Sequence, residues 1–237
     1  MPNTVLNTIV AEAFCDACDR LEESDNLVEA VHDLIKENLS EHQRVIFNGN
    51  GYSAEWVKEA ERRGLPNIRS MVDSIPELLK EDTIAMFDKF HVFTKAELNS
   101  RAEVQYENYS KTINIEAKTM IDIASKQIIP AVIKYEKSLG DTINSIKNAG
   151  VSEVAVEGEL LQKTSLLLTE VDKGIKNLQE VDAKACAMPE GAPQARYYHD
   201  VVMEAMNELL SPVDKLEMIV DKEMWPMPSY GDLIFEV

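Results

Sequence analysis

Between Thr94 and Asn148 the chain places an apolar residue every three or four positions without a break, from Leu98, Ala102, Tyr106 and Tyr109 through Ile113, Ala117, Met120, Ile121, Ala124, Ile128 and Val132 to Tyr135, Leu139, Ile143 and Ile146. A strand repeats every two residues, so this period belongs to an α-helix. About fifty residues at 1.5 Å rise give a rod roughly 75 Å long. Such a rod cannot bury its stripe on itself and has to find partner helices. Thr94-Lys95-Ala96-Glu97 has the order of a capping box and predicts the start; Asn148-Ala149-Gly150 predicts the end. Pro130 is expected to bend the rod, because proline lacks the donor and crowds the preceding turn.

The partners are legible downstream. Ser152 is placed to cap a second long helix reaching about residue 186, with Val156, Leu160, Leu167, Val171, Ile175 and Leu178 inward. Met188 to Pro193 reads as a loop. A final helix over about 194–224 turns Val201, Met206, Leu209, Leu210, Val213, Leu216 and Ile219 inward, with a kink at Pro212. Three long helices with short connections predict an antiparallel bundle over 94–224. In the closing residues 225–237, Pro226 and Pro228 predict a non-helical tail whose aromatic and aliphatic side chains dock against something.

Residues 1–93 predict a smaller mixed α/β part. Val5, Ile9, Ala13 and Ala17, with Leu6, Val10 and Phe14 beside them, give a first helix capped at Asn3 or Thr4 and running to about Glu22. Ser24 is expected to cap a second helix carrying Leu27, Val31, Leu34 and Ile35. Arg44-Val45-Ile46-Phe47 reads as a short strand ending in the Asn48-Gly49-Asn50-Gly51 turn, followed by a helix that Ser53 caps and Gly64 ends. Two short helices follow, near 70–79 and 82–90. The fold class is therefore mainly α: a long antiparallel helical bundle with a small mixed α/β N-terminal part.

With nine glycines and nine prolines the chain is poor in turn residues, which also favours helices. Its 24 basic and 42 acidic side chains give a formal charge of −18, which disfavours nucleic acid and anionic membrane surfaces as partners. No apolar run reaches 18 residues and no signal-peptide order stands at the N-terminus. The three cysteines, Cys15, Cys18 and Cys186, make neither an even disulfide framework nor a four-ligand metal set. A cytoplasmic setting is expected.

Four constellations bear on chemistry. The Asn48–Ser53 loop lies between strand and helix, where phosphate loops occur, yet it lacks both glycine-rich signatures, so a turn with a helix cap is expected. Glu29-x-x-His32 has the spacing of a bundle metal ligand pair, but the chain offers one such pair where a di-metal site needs two, so a solvated face is expected. Cys15 and Cys18 sit mid-helix among apolar residues and are expected as buried thiols. Tyr106, Tyr109 and Tyr135 are expected as core or groove aromatics. His42, His91 and His199 have no matching carboxylates. No catalytic, cofactor-binding or metal-binding residue is assigned.

Several stretches resemble type III glutamine synthetases: Pro2 to Glu12; Arg44 to Ser53 with Glu55-Trp56; Arg63-Gly64-Leu65-Pro66-Asn67; Val92-Phe93-Thr94; Asn108-Tyr109 with Lys111 to Ala117; and Trp225-Pro226 with Tyr230-Gly231-Asp232. The resemblance covers essentially the whole chain in order. It implies a ligase that joins ammonia to glutamate using ATP and Mg2+ or Mn2+ through a γ-glutamyl phosphate, in a homo-oligomeric double ring. It also implies that the metal-binding and phosphate-contacting residues lie upstream. Residues 1–43 would be the terminal helices of the catalytic domain and 44–237 a type III-specific helical C-terminal domain. The expected role is structural, in assembly with the rest of the subunit and its neighbours, and inactive alone. The competing readings are a free-standing helical scaffold or protein-interaction domain, and a metal-dependent bundle enzyme centred on Glu29 and His32.

Overall fold

The computed structural model describes residues 1–228 and 230–235. The chain divides into two compact units, Met1–Val104 and Gln105–Val237, with the boundary inside one long helix. Among the described residues every regular element is a helix or helical turn.

In the first unit, α1 (Pro2–Glu22) and α2 (Leu27–Glu41) precede α3 (Ala54–Arg62), α4 (Met71–Ser74) and α5 (Glu81–Lys89). Asn26, and not Ser24, caps α2: its side chain accepts from the Glu29 backbone, while Ser24 turns its hydroxyl to the Asn26 backbone instead. Ser53 caps α3 as its position predicts, and Ser70 caps α4. At the end of α3, Leu65 N–H reaches the Ala60 carbonyl and Gly64 N–H the Glu61 carbonyl, with Gly64 at φ 69°. That is the paired closure that favours a residue without Cβ.

The strand expected over Arg44–Phe47 is absent, and with it the mixed α/β character of this part. Gln43–Val45 form a 3-10 turn and the segment then runs extended. A strand needs a neighbouring backbone to pair with. Here the backbone partner is a side chain: Arg63 donates to the Ile46 carbonyl at 2.9 Å and the Arg44 carbonyl at 3.3 Å. Phe47 stacks on Trp56 with ring centroids 4.0 Å apart, pinning the segment to α3.

The small core of this unit gathers Val72, Ile75, Phe87, Leu98 and Ala102. Lys89 ties α5 to α1 through Glu12 at 2.9 Å. The packed side of α1 includes Thr8, 5% exposed, whereas its apolar stripe faces outward, with Leu6 59%, Val10 51% and Phe14 67% exposed.

The rod begins in the first unit and runs on through the second. α6 (Lys95–Ile123) opens on the predicted capping box: Thr94 N–H donates to Glu97 Oε2 at 2.8 Å and Glu97 N–H to Thr94 Oγ1 at 3.3 Å. It continues through a π turn, Ala124–Ile128, into α7 (Ile129–Asn148). In a regular α-helix the Pro130 ring would meet the carbonyl four residues back; the wider turn just ahead re-spaces that backbone, with Ile129 N–H reaching back to the Ala124 carbonyl. No residue of the predicted stripe is exposed, and Ala117, Ile128 and Val132 are at 1% or less.

α8 (Ala155–Cys186) packs against both α7 and α10 (Met203–Glu217). It starts at Val154, not at Ser152, so Val156 stays at the exposed end; Leu167, Val171, Ile175 and Leu178 are buried as expected. α9 (Ala192–Tyr197) runs through a second π turn, Tyr198–Val202, into α10. That insertion shifts the register, so Val202, Ala205, Leu209, Pro212 and Leu216 are buried while Leu210 is 45% exposed. α8 and α10 approach closely at Gly174, where an added Cβ would stand 3.1 Å from the Leu209 Cα.

The last helix ends earlier than expected, at Glu217, and the tail is not wholly irregular: Tyr230–Phe235 form α11. Pro226 and Pro228 constrain only the residues around them, and the chain is free to coil beyond. Trp225 packs on the core cluster of this unit, and Met227 lines an apolar groove with Met120, Ile123, Ile128 and Leu209. Leu233 and Ile234 are 65% and 64% exposed, and Lys222 is paired with Asp232 at 2.8 Å. Ser229, Glu236 and Val237, also part of the expected docking tail, lie outside the described residues.

Candidate functional site

The residues singled out in the sequence are not brought together. Glu29 is committed to its own helix start, where its carboxylate accepts from the Asn26 side chain at 3.1 Å, and His32 is exposed one turn on. The Asn48–Ser53 loop is a turn whose Asn50 side chain accepts from Tyr52 N–H at 3.0 Å. Gly49 is needed there because an added Cβ would lie 2.6 Å from the Phe47 ring. Cys18 is exposed and Cys15 only half-buried, against the expectation of buried thiols, because the outward side of α1 has no cover. His91 takes φ 54° at the end of α5, where glycine would be usual. Among the described residues no group of three or more His, Cys, Asp or Glu is placed to hold a metal ion. The divalent metal implied by the resemblance thus finds no donor set among the described residues.

A polar cluster that no sequence motif marks lies in the second unit. Asn114 on α6 donates its side-chain amide to Asp182 Oδ1 on α8 at 2.7 Å and to the Tyr198 hydroxyl at 3.0 Å. It also lies 3.2 Å from Cys186 Sγ, and its carbonyl accepts from Lys118 at 2.9 Å. Asp182 is buried at 5% exposure, so this amide keeps a carboxylate solvated inside the bundle. Burial raises the Tyr198 pKa, and the neighbouring Cys186 and Asp182 push it further the same way. The phenol is therefore a neutral hydroxyl across ordinary pH.

Beside this cluster is a cavity of about 170 Å3, lined by Glu107, Ser110, Lys111 and Asn114 from α6 and by Cys186, Glu190, Gln194 and Tyr198. Gln194 braces its floor by donating to the Ala185 carbonyl at 3.0 Å. Tyr198 is where the π turn begins, and such insertions recur at functional positions. The sequence signal was the spacing Glu107, Lys111, Asn114, Lys118, a polar edge to the stripe one helical turn at a time. Reading it as a site needed the facing residues, which lie about seventy to eighty positions away. The arrangement has hydrogen-bonding and ionic groups but no activated nucleophile or acid–base pair.

No helix among the described residues is long and apolar enough to cross a membrane.

Residues 30–147 match the family model described as the glutamine synthetase C-terminal domain. A glutamine synthetase of Butyrivibrio fibrisolvens is 36% identical over 214 residues, covering 90% of this chain and 31% of that protein. The type-3 glutamine synthetase of Dictyostelium discoideum is 32% identical over 244 residues, covering 99% of this chain and 33% of that protein. A glutamine synthetase of Bacteroides fragilis (strain YCH46) is 28% identical over 228 residues. The chain thus spans about a third of the length of the curated relatives it matches. On this match, the chain belongs over residues 30–147 to the glutamine synthetase C-terminal domain family.

Proposed function

We propose that this chain is the structural and assembly part of a type III glutamine synthetase, a glutamate–ammonia ligase, and that it does not catalyse the reaction alone. In this reading residues 1–43 are the terminal helices of the catalytic domain and 44–237 are the type III-specific helical domain. Binding of ATP and of Mg2+ or Mn2+ falls to the remainder of the subunit, in the cytoplasm, within a homo-oligomeric double ring.

The observation that carries the reading is the orientation of α1. Its packed side holds Thr8 and Glu12, while Leu6, Ile9, Val10 and Phe14 face outward. α2 adds Leu27, Val28, Ile35 and Leu39, each more than half exposed. A helix pair that leaves so many large apolar side chains exposed has its main partner elsewhere. In this reading the partner lies in the two thirds of the relatives' length that this chain does not span.

The test is made in the complete subunit. Phe14→Glu and Val10→Glu are expected to reduce the assembled mass by light scattering and to lower glutamine synthesis. Tyr52→Glu, on a fully exposed loop, is expected to change neither. Unchanged assembly and activity in both helix variants would reject the docking role.

A further inference from the structure

The cavity lined by Glu107, Ser110 and Tyr198 has hydrogen-bonding capacity that the protein does not use. Asn114 has two amide hydrogens and three acceptors within reach, so its donors are spent, and Lys118 occupies its carbonyl. Gln194 spends its amide hydrogens on the Ala185 and Met188 carbonyls. Ser110 is different. It is only 4% exposed, and its hydroxyl has no hydrogen-bond partner although it lines the cavity. A buried hydroxyl left without a partner costs about 1–3 kcal/mol, so such groups normally have one. The Tyr198 oxygen accepts from Asn114, and its O–H has only a long contact of 3.5 Å to Cys186 Sγ to give up, sulfur being a weak acceptor.

Charge decides what kind of molecule fits. Glu107 is paired with Lys111 at the mouth, and Glu190, from the loop after α8, acts on the same ammonium. Asp182 lies behind, facing Asn114, with Lys118 on the far side. Along the lining itself two carboxylates, Glu107 and Glu190, stand against one ammonium, Lys111, in a chain whose formal charge is −18. An anion would meet net repulsion and a cation net attraction. The volume of about 170 Å3 far exceeds the roughly 10–15 Å3 that one water needs.

We propose that this cavity binds a small organic ammonium compound, a primary amine of a few heavy atoms that also carries a hydroxyl or amide. The ammonium lies against Glu107 and Glu190, and the polar end partners the Ser110 and Tyr198 hydroxyls. The site stands apart from the assembly role above and does not depend on it.

The experiment is a titration of the full polypeptide with ethanolamine, followed by calorimetry and by amide chemical shifts. Ethylene glycol serves as the neutral probe and glycolate as the anionic one. Saturable ethanolamine binding is expected, with shifts concentrated in residues 107–114 and 186–198. The other two probes are expected to bind at least about ten-fold more weakly, the loss of one charge-assisted hydrogen bond. Ser110→Ala and Glu190→Gln should each weaken ethanolamine several-fold; Glu190 is exposed on a loop, so its variant folds normally. Shifts that never saturate, equal affinity in both variants, or a preference for glycolate would overturn the proposal.

Discussion

Asn114 on α6 and Asp182 on α8 are 68 residues apart in sequence and joined by a 2.7 Å hydrogen bond inside the bundle. The bond joins two long helices within a polar cluster that also holds the Tyr198 hydroxyl and Cys186 Sγ. Removing the amide with Asn114→Ala strands a buried carboxylate and is expected to cost about 2–3 kcal/mol in urea unfolding. Asp182→Asn, which leaves no buried charge, is expected to cost less. In a double-mutant cycle the two losses should fall short of adding.

Gly174 and Gly158 lie on the same helix and make an internal comparison. A Cβ at Gly174 would press 3.1 Å from the Leu209 Cα, whereas at Gly158 it would meet nothing within 4 Å. Gly174→Ala is expected to destabilise by about 1–3 kcal/mol through overpacking between α8 and α10. Gly158→Ala is expected to stabilise by up to about 1 kcal/mol through helix propensity. Thermal melts of the two variants should move in opposite directions.

His91 closes α5 with its N–H on the Asp88 carbonyl while Val92 N–H reaches the Phe87 carbonyl, a geometry that forces φ 54°. A side chain in that region costs about 1–2 kcal/mol, part of which glycine returns through its freer unfolded state. His91→Gly is therefore expected to gain about 0.5–1 kcal/mol by denaturant titration.

Glu136 on α7 carries a buried carboxylate oxygen with no hydrogen-bond partner. Burial raises its pKa above the ordinary 4.5, with the Thr164 hydroxyl pulling partly the other way. The folded state then holds this proton more tightly than the unfolded one, so the group's stabilising contribution is present below pH 4.5 and is lost as pH rises through the folded pKa. Glu136→Gln should melt higher than the parent at pH 7, with the advantage shrinking as the pH approaches 4.5 from above.

The helical plan was legible because the apolar period and the caps are local. The stripe from Leu98 to Ile146, the Thr94–Glu97 box, the Ser53 cap and the Gly64 closure all stand where the residues place them. Several of the failures come from information held at a distance. Arg44–Phe47 has strand-forming residues but its carbonyls are taken by Arg63, so it stays unpaired. Val202 is buried where periodicity names Val201, because a π turn adds a residue that simple periodicity does not count. The polar cavity was invisible for the same reason, since Ser110 acquires meaning only beside Tyr198 and Gln194.

The central claim is that this chain shapes and assembles a ligase without performing its chemistry. The direct measurement is glutamine formation from glutamate, ammonia and ATP, with Mg2+ or Mn2+, by the purified 237-residue chain. No glutamine and no glutamate-dependent ATP hydrolysis are expected. Sustained turnover that follows the concentration of this chain would contradict the account.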